Sequence, residues 1–298
     1  MSSDTSLSSI PACAAWDPAV SPGDYGYRPS LAWGIVFTTL FTLIAIAQLV
    51  HLIRTRAFWT FFFIMGAVLE VLGWVARAVS YHCPYSRACF LMQTATLIMG
   101  PSWTQAGIYV TLWVLIQHMG RHASPLPPHI YLFICFLIDV ICLTAQATGG
   151  GLAGAAFSQG TSTTPGTLTM VVGIIAQLVA GVIFFFLLSI VLYRGSTELQ
   201  ANRPLFLVAA ATVFSTLMMI MRNVYRSVEL TEGWRGYLAT HQRYVLALDA
   251  LPMVLSMGVY VFFHPGAHLK RIESEDEQQE MATRSKTMKH AVREYFNL

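Results

Sequence analysis

Long apolar runs separated by short polar stretches lay out this chain. Crossing a bilayer core in a helix takes about 20 apolar residues. Seven runs approach or exceed that length: 31–53, 57–80, 88–117, 130–148, 168–193, 204–221 and 244–264. The third is longer than a span requires and contains Pro101, which removes a backbone donor and predicts a bend or tilt. Pro252 marks a second expected bend, in the seventh run. The pattern predicts an all-α integral membrane protein with seven transmembrane helices. Residues 1–30 form an N-terminal segment, 31–264 the membrane domain and 265–298 a charged tail.

Composition agrees with this layout. Hydrophobic residues make up 55% and charged residues 11%, with a mean hydropathy of +0.56. A soluble domain carries about 25% charged residues, so a soluble globular fold is a poor fit and a disordered chain is excluded. The placement of arginine and lysine sets the orientation. With the N-terminus outside, the inner segments hold eleven basic residues and the outer ones five. That predicts an extracellular N-terminus and a cytoplasmic C-terminus. The first basic residue is Arg28, so neither a cleavable signal peptide nor a mitochondrial presequence is expected. The first run then serves as an uncleaved anchor.

Lysine placement narrows the chemistry. The three lysines are Lys270, Lys286 and Lys289, all in the tail. A phosphate-binding loop of the Gly-x-x-x-x-Gly-Lys type needs a lysine, and a retinal Schiff base needs one inside a span. Neither is possible in the first 269 residues. His118/His122 and His264/His268 have metal-ligand spacing, but Pro265-Gly266 interrupts the second pair, and no metal or other cofactor is expected. The tail is acidic over 273–280 and basic over 284–293, and these charges cancel. No nucleic-acid partner is implied.

Cys13, Cys83 and Cys89 fall outside in this topology and are candidates for a disulfide whose pairing spacing does not identify. Cys135 and Cys142 read as apolar packing residues. Gly149, Gly150, Gly151 and Gly154, followed by a Ser/Thr stretch up to Pro165-Gly166, read as a flexible outer loop. The Gly150/Gly154 spacing also suits close helix contact.

Ionisable residues inside spans carry the functional signal. Each costs at least about 2.5–3.5 kcal/mol near the bilayer centre, so such groups face the bundle interior and are paired. The candidates are Glu70, Arg77, Asp139, Arg222 and Asp249, joined by Arg226 and Glu229 just beyond the sixth run and by the neutral Gln93 and Gln146. Gln105 and Gln177 add further amides. Glu70 and Arg77 are seven apart, hence on one helix face and about 10 Å apart along the axis. Depth places Glu70 and Asp139 in a middle layer, with Arg77, Arg222 and Asp249 in an outer layer. Asp249 is expected to pair with Arg222 or Arg77. The set predicts a polar cavity that widens toward the outer side.

Ordered motifs from about Tyr25 to His268 resemble the fungal RTA-like family, also called lipid-translocating exporters. They are Tyr25-Gly-Tyr-Arg-Pro-Ser30, Glu70-Val-Leu-Gly-Trp-Val-Ala-Arg77, Gln93 with Pro101 and Ala106-Gly-Ile-Tyr109, Asp139 to Gln146, Arg222-x-x-x-Arg226-x-x-Glu229, Asp249-Ala-Leu-Pro252 and His264-Pro-Gly266. Trp74 stands where the family usually has tyrosine, and Gly100 where it usually has alanine. The resemblance implies a multi-pass exporter of membrane lipids or other amphiphilic small molecules, such as a sphingoid base or a sterol-like drug. It implies resistance to membrane-active toxic compounds and a place in the plasma membrane, with vacuolar and endoplasmic-reticulum membranes as other homes. Two rival readings share the topology: a seven-helix lipid-stress receptor, and an intramembrane hydrolase. The receptor signatures Asp-Arg-Tyr and Asn-Pro-x-x-Tyr are missing, as is a Gly-x-Ser-x-Gly elbow, so no catalytic residue is assigned.

Overall fold

A computed structural model describes residues 11–17, 25–120, 124, 127–158, 161–233 and 236–266. Among the described residues the regular structure is helical, without a strand. The long helices are α1 (Leu31–Thr55), α2 (Phe61–Val79, led in by a 3-10 turn at Phe58–Thr60), α3 (Arg87–Met119), α4 (Pro128–Ser158), α5 (Thr164–Arg194), α6 (Arg203–Glu232) and α7 (Gln242–Phe262). Every one except α3 belongs to an element long and apolar enough to cross a membrane, which gives six candidate spans in a multi-pass membrane protein.

The exception has a packing explanation. α1 buries a single stripe, Gly34, Phe37, Phe41, Ile44 and Gln48, at alternating spacings of three and four. Its other faces expose large apolar side chains such as Leu43 and Ile53, as a lipid-facing helix does. α3 instead packs against α2, α4 and α6. It buries Gln93, Ser102, Thr104, Gln105 and Thr111 along with its apolar residues. From Gly100 to Ile116 the helix is largely enclosed by protein, so its sequence there need not be apolar on all sides, while Leu91, Met92 and Met99 nearer its start are exposed.

Small residues let α2 and α3 approach closely. A Cβ on Gly66 would lie 2.5 Å from Thr104 Oγ1, and one on Gly107 would lie 2.8 Å from Phe63 Cζ. Aromatic pairs fill the core around them: Phe37 against Trp74 at 4.5 Å, Phe63 against Tyr260 at 4.6 Å and Tyr109 against Phe184 at 4.6 Å between ring centroids.

Three features differ from the sequence expectation. The glycines after residue 148 are not a loop, because α4 continues through them to Ser158. The close approach there belongs to Gly149 and not to the Gly150/Gly154 pair. A Cβ on Gly149 would sit 2.6 Å from Gly166 O on α5, whereas Gly151 meets nothing within 4 Å and Gly154 only Leu91 at 3.6 Å. The glycine run is thus a helix contact one residue out of the register expected. Second, α6 runs eleven residues past 221, which puts Arg222, Arg226 and Glu229 on one helical face. Third, α7 is not uniformly α-helical. Val245–Ala250 forms a π segment, in which Leu251 N–H bonds to Leu246 O, five residues back. Pro252 follows directly and has no N–H to offer residue 248, so the wider turn lies where an α-turn lacks its donor.

At the opposite end of the bundle, the His264 ring stacks on His51 at 4.4 Å and on Trp59 at 5.7 Å, and its Nε2 meets Thr60 Oγ1 at 3.2 Å. His122, His268 and the charged tail from residue 267 lie outside the described residues. No group of three metal-ligating side chains occurs among the described residues.

Candidate functional site

Helix ends build the site. The C-terminal halves of α2 and α6, the first half of α3 and the π segment of α7 meet at the bundle end that also carries the segment before α1. They enclose a cavity of about 80 Å³. Six of the sequence candidates line it: Arg77, Gln93, Gln146, Arg222, Arg226 and Glu229. Asn223 and Gln177 complete the polar wall, and Phe90, Ile98, Met170 and Ile174 supply an apolar one.

Asp249 lies at the centre of the ion-pair cluster. Its Oδ1 is 2.9 Å from Arg222 Nε and accepts from Arg226 Nε at 2.9 Å, while Oδ2 accepts from Arg226 Nη2. Arg226 Nη1 also donates to Glu229 Oε2 at 3.0 Å. The expected partner Arg222 is present, but the second is Arg226 and not Arg77. Linear spacing left Arg226 in a loop, and only the extension of α6 brings it back over Asp249. The π segment contributes too, since it sets the phase of residue 249 against the helix that follows.

Arg222 has a second anchor, and Pro101 provides it. In a regular helix residue 101 would donate its N–H to Leu97 O. Proline has none, and Arg222 Nη2 donates to that carbonyl instead, at 2.6 Å. A buried carbonyl left without a donor costs about 1–3 kcal/mol. The proline of α3 and the arginine of α6 therefore satisfy one another's deficit, and the guanidinium is held between α3 and α7.

The amide wall is a relay between three helices. Gln146 Nε2 on α4 donates to Gln177 Oε1 on α5 at 3.0 Å, and Gln177 Nε2 donates to Ser102 Oγ on α3 at 3.1 Å. The N-terminal segment closes the remaining side. Tyr25 Oη donates to Gln93 Oε1 at 2.8 Å and lies 3.0 Å from Ser80 Oγ. Burial pushes the Tyr25 phenol up to about 12, so it stays a neutral donor at physiological pH. Arg77 Nη2 donates to Tyr27 Oη. A disulfide between Cys13 and Cys83 ties this segment to the turn between α2 and α3, and Tyr85 Oη accepts from Asp17 N at 3.0 Å beside it. Cys89, Cys135 and Cys142 are free thiols. Tyr25 and Tyr27 were visible to sequence reasoning only as part of a motif before α1. Both offer hydroxyl groups, and a search for acids and bases passes over them.

Three candidates do not line the cavity: Asp249, which lies behind the arginines it pairs with, Glu70 and Asp139. Glu70, only 2% exposed, lies behind it against Gly100, where a Cβ would come within 3.1 Å of Glu70 Oε1, and that oxygen has no hydrogen-bond partner. Asp139, 4% exposed, faces Tyr109 and Gln177 with neither carboxylate oxygen hydrogen-bonded. The expected middle layer of acids therefore exists as two separate buried carboxyls and not as a cavity wall.

Residues 63–272 match the family model described as RTA1 like protein. The chain is 31% identical, over an alignment of 282 residues, to the sphingoid long-chain base transporter RSB1 of Saccharomyces cerevisiae, covering 82% of this chain and 74% of that one. It is 27% identical over 202 residues to protoporphyrin uptake protein 1 of the same species, covering 65% and 64%. It is 28% identical over 215 residues to protein RTM1, covering 69% and 66%. No solved structure matches.

Proposed function

This chain belongs to the RTA1-like family, and from that premise we propose that it translocates amphiphilic lipids of the sphingoid-base type across a membrane. The observation that carries this reading is a cavity walled by buried arginines, the Glu229 carboxylate and amides at one end of a bundle whose outer surface is apolar. A polar head group crossing hydrocarbon without partners costs several kcal/mol. A wall already furnished with donors and acceptors offsets that cost while the tail stays among apolar side chains. A cavity needs roughly 10–15 Å³ to hold one water, so about 80 Å³ accommodates a small head group and not a long chain. The chain would therefore remain in lipid or between helices.

In this reading all seven long helices span, with α3 packed between α2, α4 and α6. The N-terminus faces outside, the tail is cytoplasmic and the membrane is the plasma membrane. The disulfide of Cys13 supports an oxidising compartment on that side. Glu70, Arg77, Gln93, Asp139, Gln146, Arg222, Arg226, Glu229 and Asp249 form the translocation path and its supports. Export of membrane-active amphiphiles would confer resistance to them. No specific observation favours the receptor or hydrolase readings.

The test is reconstitution into liposomes with a fluorescent sphingoid base in both leaflets and quencher outside. The expected result is protein-dependent exchange between leaflets that Asp249→Asn reduces at least tenfold. Exchange no faster than in empty liposomes, across a panel of sphingoid bases and sterol-like amphiphiles, would refute the reading.

A further inference from the structure

Two aspartates are buried in this bundle, and their surroundings differ. Two guanidiniums hold Asp249, whereas Asp139 meets no cation among the described residues. The groups that face Asp139 are few. α3 presents Tyr109, α5 the neutral amide of Gln177, and α4 itself the thiols of Cys135 and Cys142. Both Asp139 carboxyl oxygens, Tyr109 Oη and Nε2 of the nearby Gln105 are buried without a hydrogen-bond partner. Buried polar atoms are almost always bonded, so this patch between α3 and α4 calls for an occupant. A carboxylate there has lost its hydration without replacement and is far cheaper as the neutral acid. The occupant that fits is a proton. A hard metal cation gathers about six oxygens, and Gln177 Oε1 is already taken by Gln146 Nε2.

Gln177 joins this patch to the head-group cavity. It lines the cavity beside Gln146, faces Asp139 and donates through Nε2 to Ser102 Oγ at 3.1 Å. An ionised Asp139 would draw on that amide, so a change at Asp139 reaches the cavity wall. The cavity in turn bears on Asp139. Among the described residues its wall sets Arg77, Arg222 and Arg226 against Glu229, with Asp249 behind them. An ammonium head group entering there adds a positive charge inside a low-dielectric bundle, where an uncompensated charge is costly. Loss of a proton from Asp139 supplies the missing negative charge one side chain away.

We propose that Asp139 is a proton-binding site that exchanges its proton against a cationic head group in the cavity. This deepens the translocation reading and rests on the cavity being the head-group site. With the cavity empty, the carboxyl holds the proton. When an ammonium head enters, the Asp139 O–H bond breaks, the proton passes to water and the carboxylate remains. The O–H bond forms again as the head leaves. The charge inside the bundle stays constant through the cycle, and movement of an amino-lipid is tied to movement of one proton. The linkage is reciprocal: bound ammonium expels the proton, and rising pH, by removing the proton, strengthens ammonium binding. A neutral amphiphile expels nothing.

Infrared spectroscopy on the purified full-length protein in a neutral detergent at neutral pH tests the proton. The probes are N,N,N-trimethylsphingosine, whose charge does not titrate, and the uncharged N-acetylsphingosine. Wild type grown on carboxyl-isotope-labelled aspartate should show a neutral-acid C=O band that the label shifts, and Asp139→Asn should lack it. Trimethylsphingosine should remove the band and release one proton to a dye in weak buffer, while N-acetylsphingosine should leave the band in place. The affinity of wild type for trimethylsphingosine should rise by up to about tenfold per unit of rising pH, and that of Asp139→Asn should stay flat. The absence of a label-sensitive band in wild type would overturn the proposal, and this measurement needs no variant. A band that persists in monodisperse Asp139→Asn, or one that bound trimethylsphingosine leaves untouched, would overturn it as well. Trimethylsphingosine exchange in liposomes without proton release would remove the proton site and leave translocation standing. Proton release on binding, without any exchange between leaflets, would keep the site and remove translocation.

Discussion

If Pro101 leaves Leu97 O for Arg222, the two residues must be energetically coupled although they lie on different helices. The perturbation is a double-mutant cycle of Pro101→Ala and Arg222→Met. Arg222→Met alone removes the 2.6 Å bond to Leu97 O and the ion pair to Asp249. Breaking a buried pair from one side costs about 3–5 kcal/mol, and orphaning the carbonyl adds about 1–3 kcal/mol. In the Pro101→Ala background residue 101 again has an N–H, which supplies Leu97 O from within α3. The carbonyl part then disappears and the ion-pair part remains. Arg222→Met should therefore destabilise the Pro101→Ala protein less than wild type, by about 1–3 kcal/mol. Equilibrium unfolding in mixed dodecyl-maltoside and SDS micelles measures all four corners. Additivity within about 0.5 kcal/mol would refute the exchange of donors and reduce the proline to a bend.

Other contacts give independent tests. Gln177 both accepts from Gln146 and donates to Ser102, so Gln177→Leu orphans two groups and Gln146→Leu one. The first should destabilise more, by about 1–3 kcal/mol, in the same unfolding assay. Gly66→Ala places a Cβ 2.5 Å from Thr104 Oγ1, and Gly151→Ala meets nothing within 4 Å. The first should cost about 1–3 kcal/mol and the second should be neutral or stabilise by up to about 1 kcal/mol, as read by thermal denaturation. Maleimide labelling of denatured, unreduced protein should modify Cys89, Cys135 and Cys142 and spare Cys13 and Cys83. Cys83→Ser should lower stability by about 2–4 kcal/mol, again by unfolding.

The membrane helices were legible because apolar length is a direct physical requirement of spanning. Their polar ends were not. α6 continues for three turns beyond its apolar run because Arg222, Arg226 and Glu229 are held by Asp249 and Leu97, and such partners are distant in sequence. α4 likewise continues through its glycines because α5 packs against Gly149. Loop chemistry read locally cannot register a neighbouring helix. The charges within the apolar runs are buried in the bundle, but charge says nothing of the side to which a group turns. Glu70 and Asp139 turned out to sit behind the wall. Tyr25 and Tyr27 entered it through a segment that apolar periodicity ignores.

The burial of α3 bears on how the molecule is made. Within the proposed seven-span arrangement, this is the long helix whose own apolarity supports spanning least, and it stands between α2, α4 and α6. Its insertion then gains most from a helix already present, and α2 is the one next to it in synthesis, bearing the glycines Gly66 and Gly73 that fit it. The hairpin of α2 and α3 becomes the natural unit of entry during translation. A damaging substitution at that glycine seam would then show first as chains with one segment left outside the membrane, and so as an error of topology and degradation, before any finished protein could be assayed for transport.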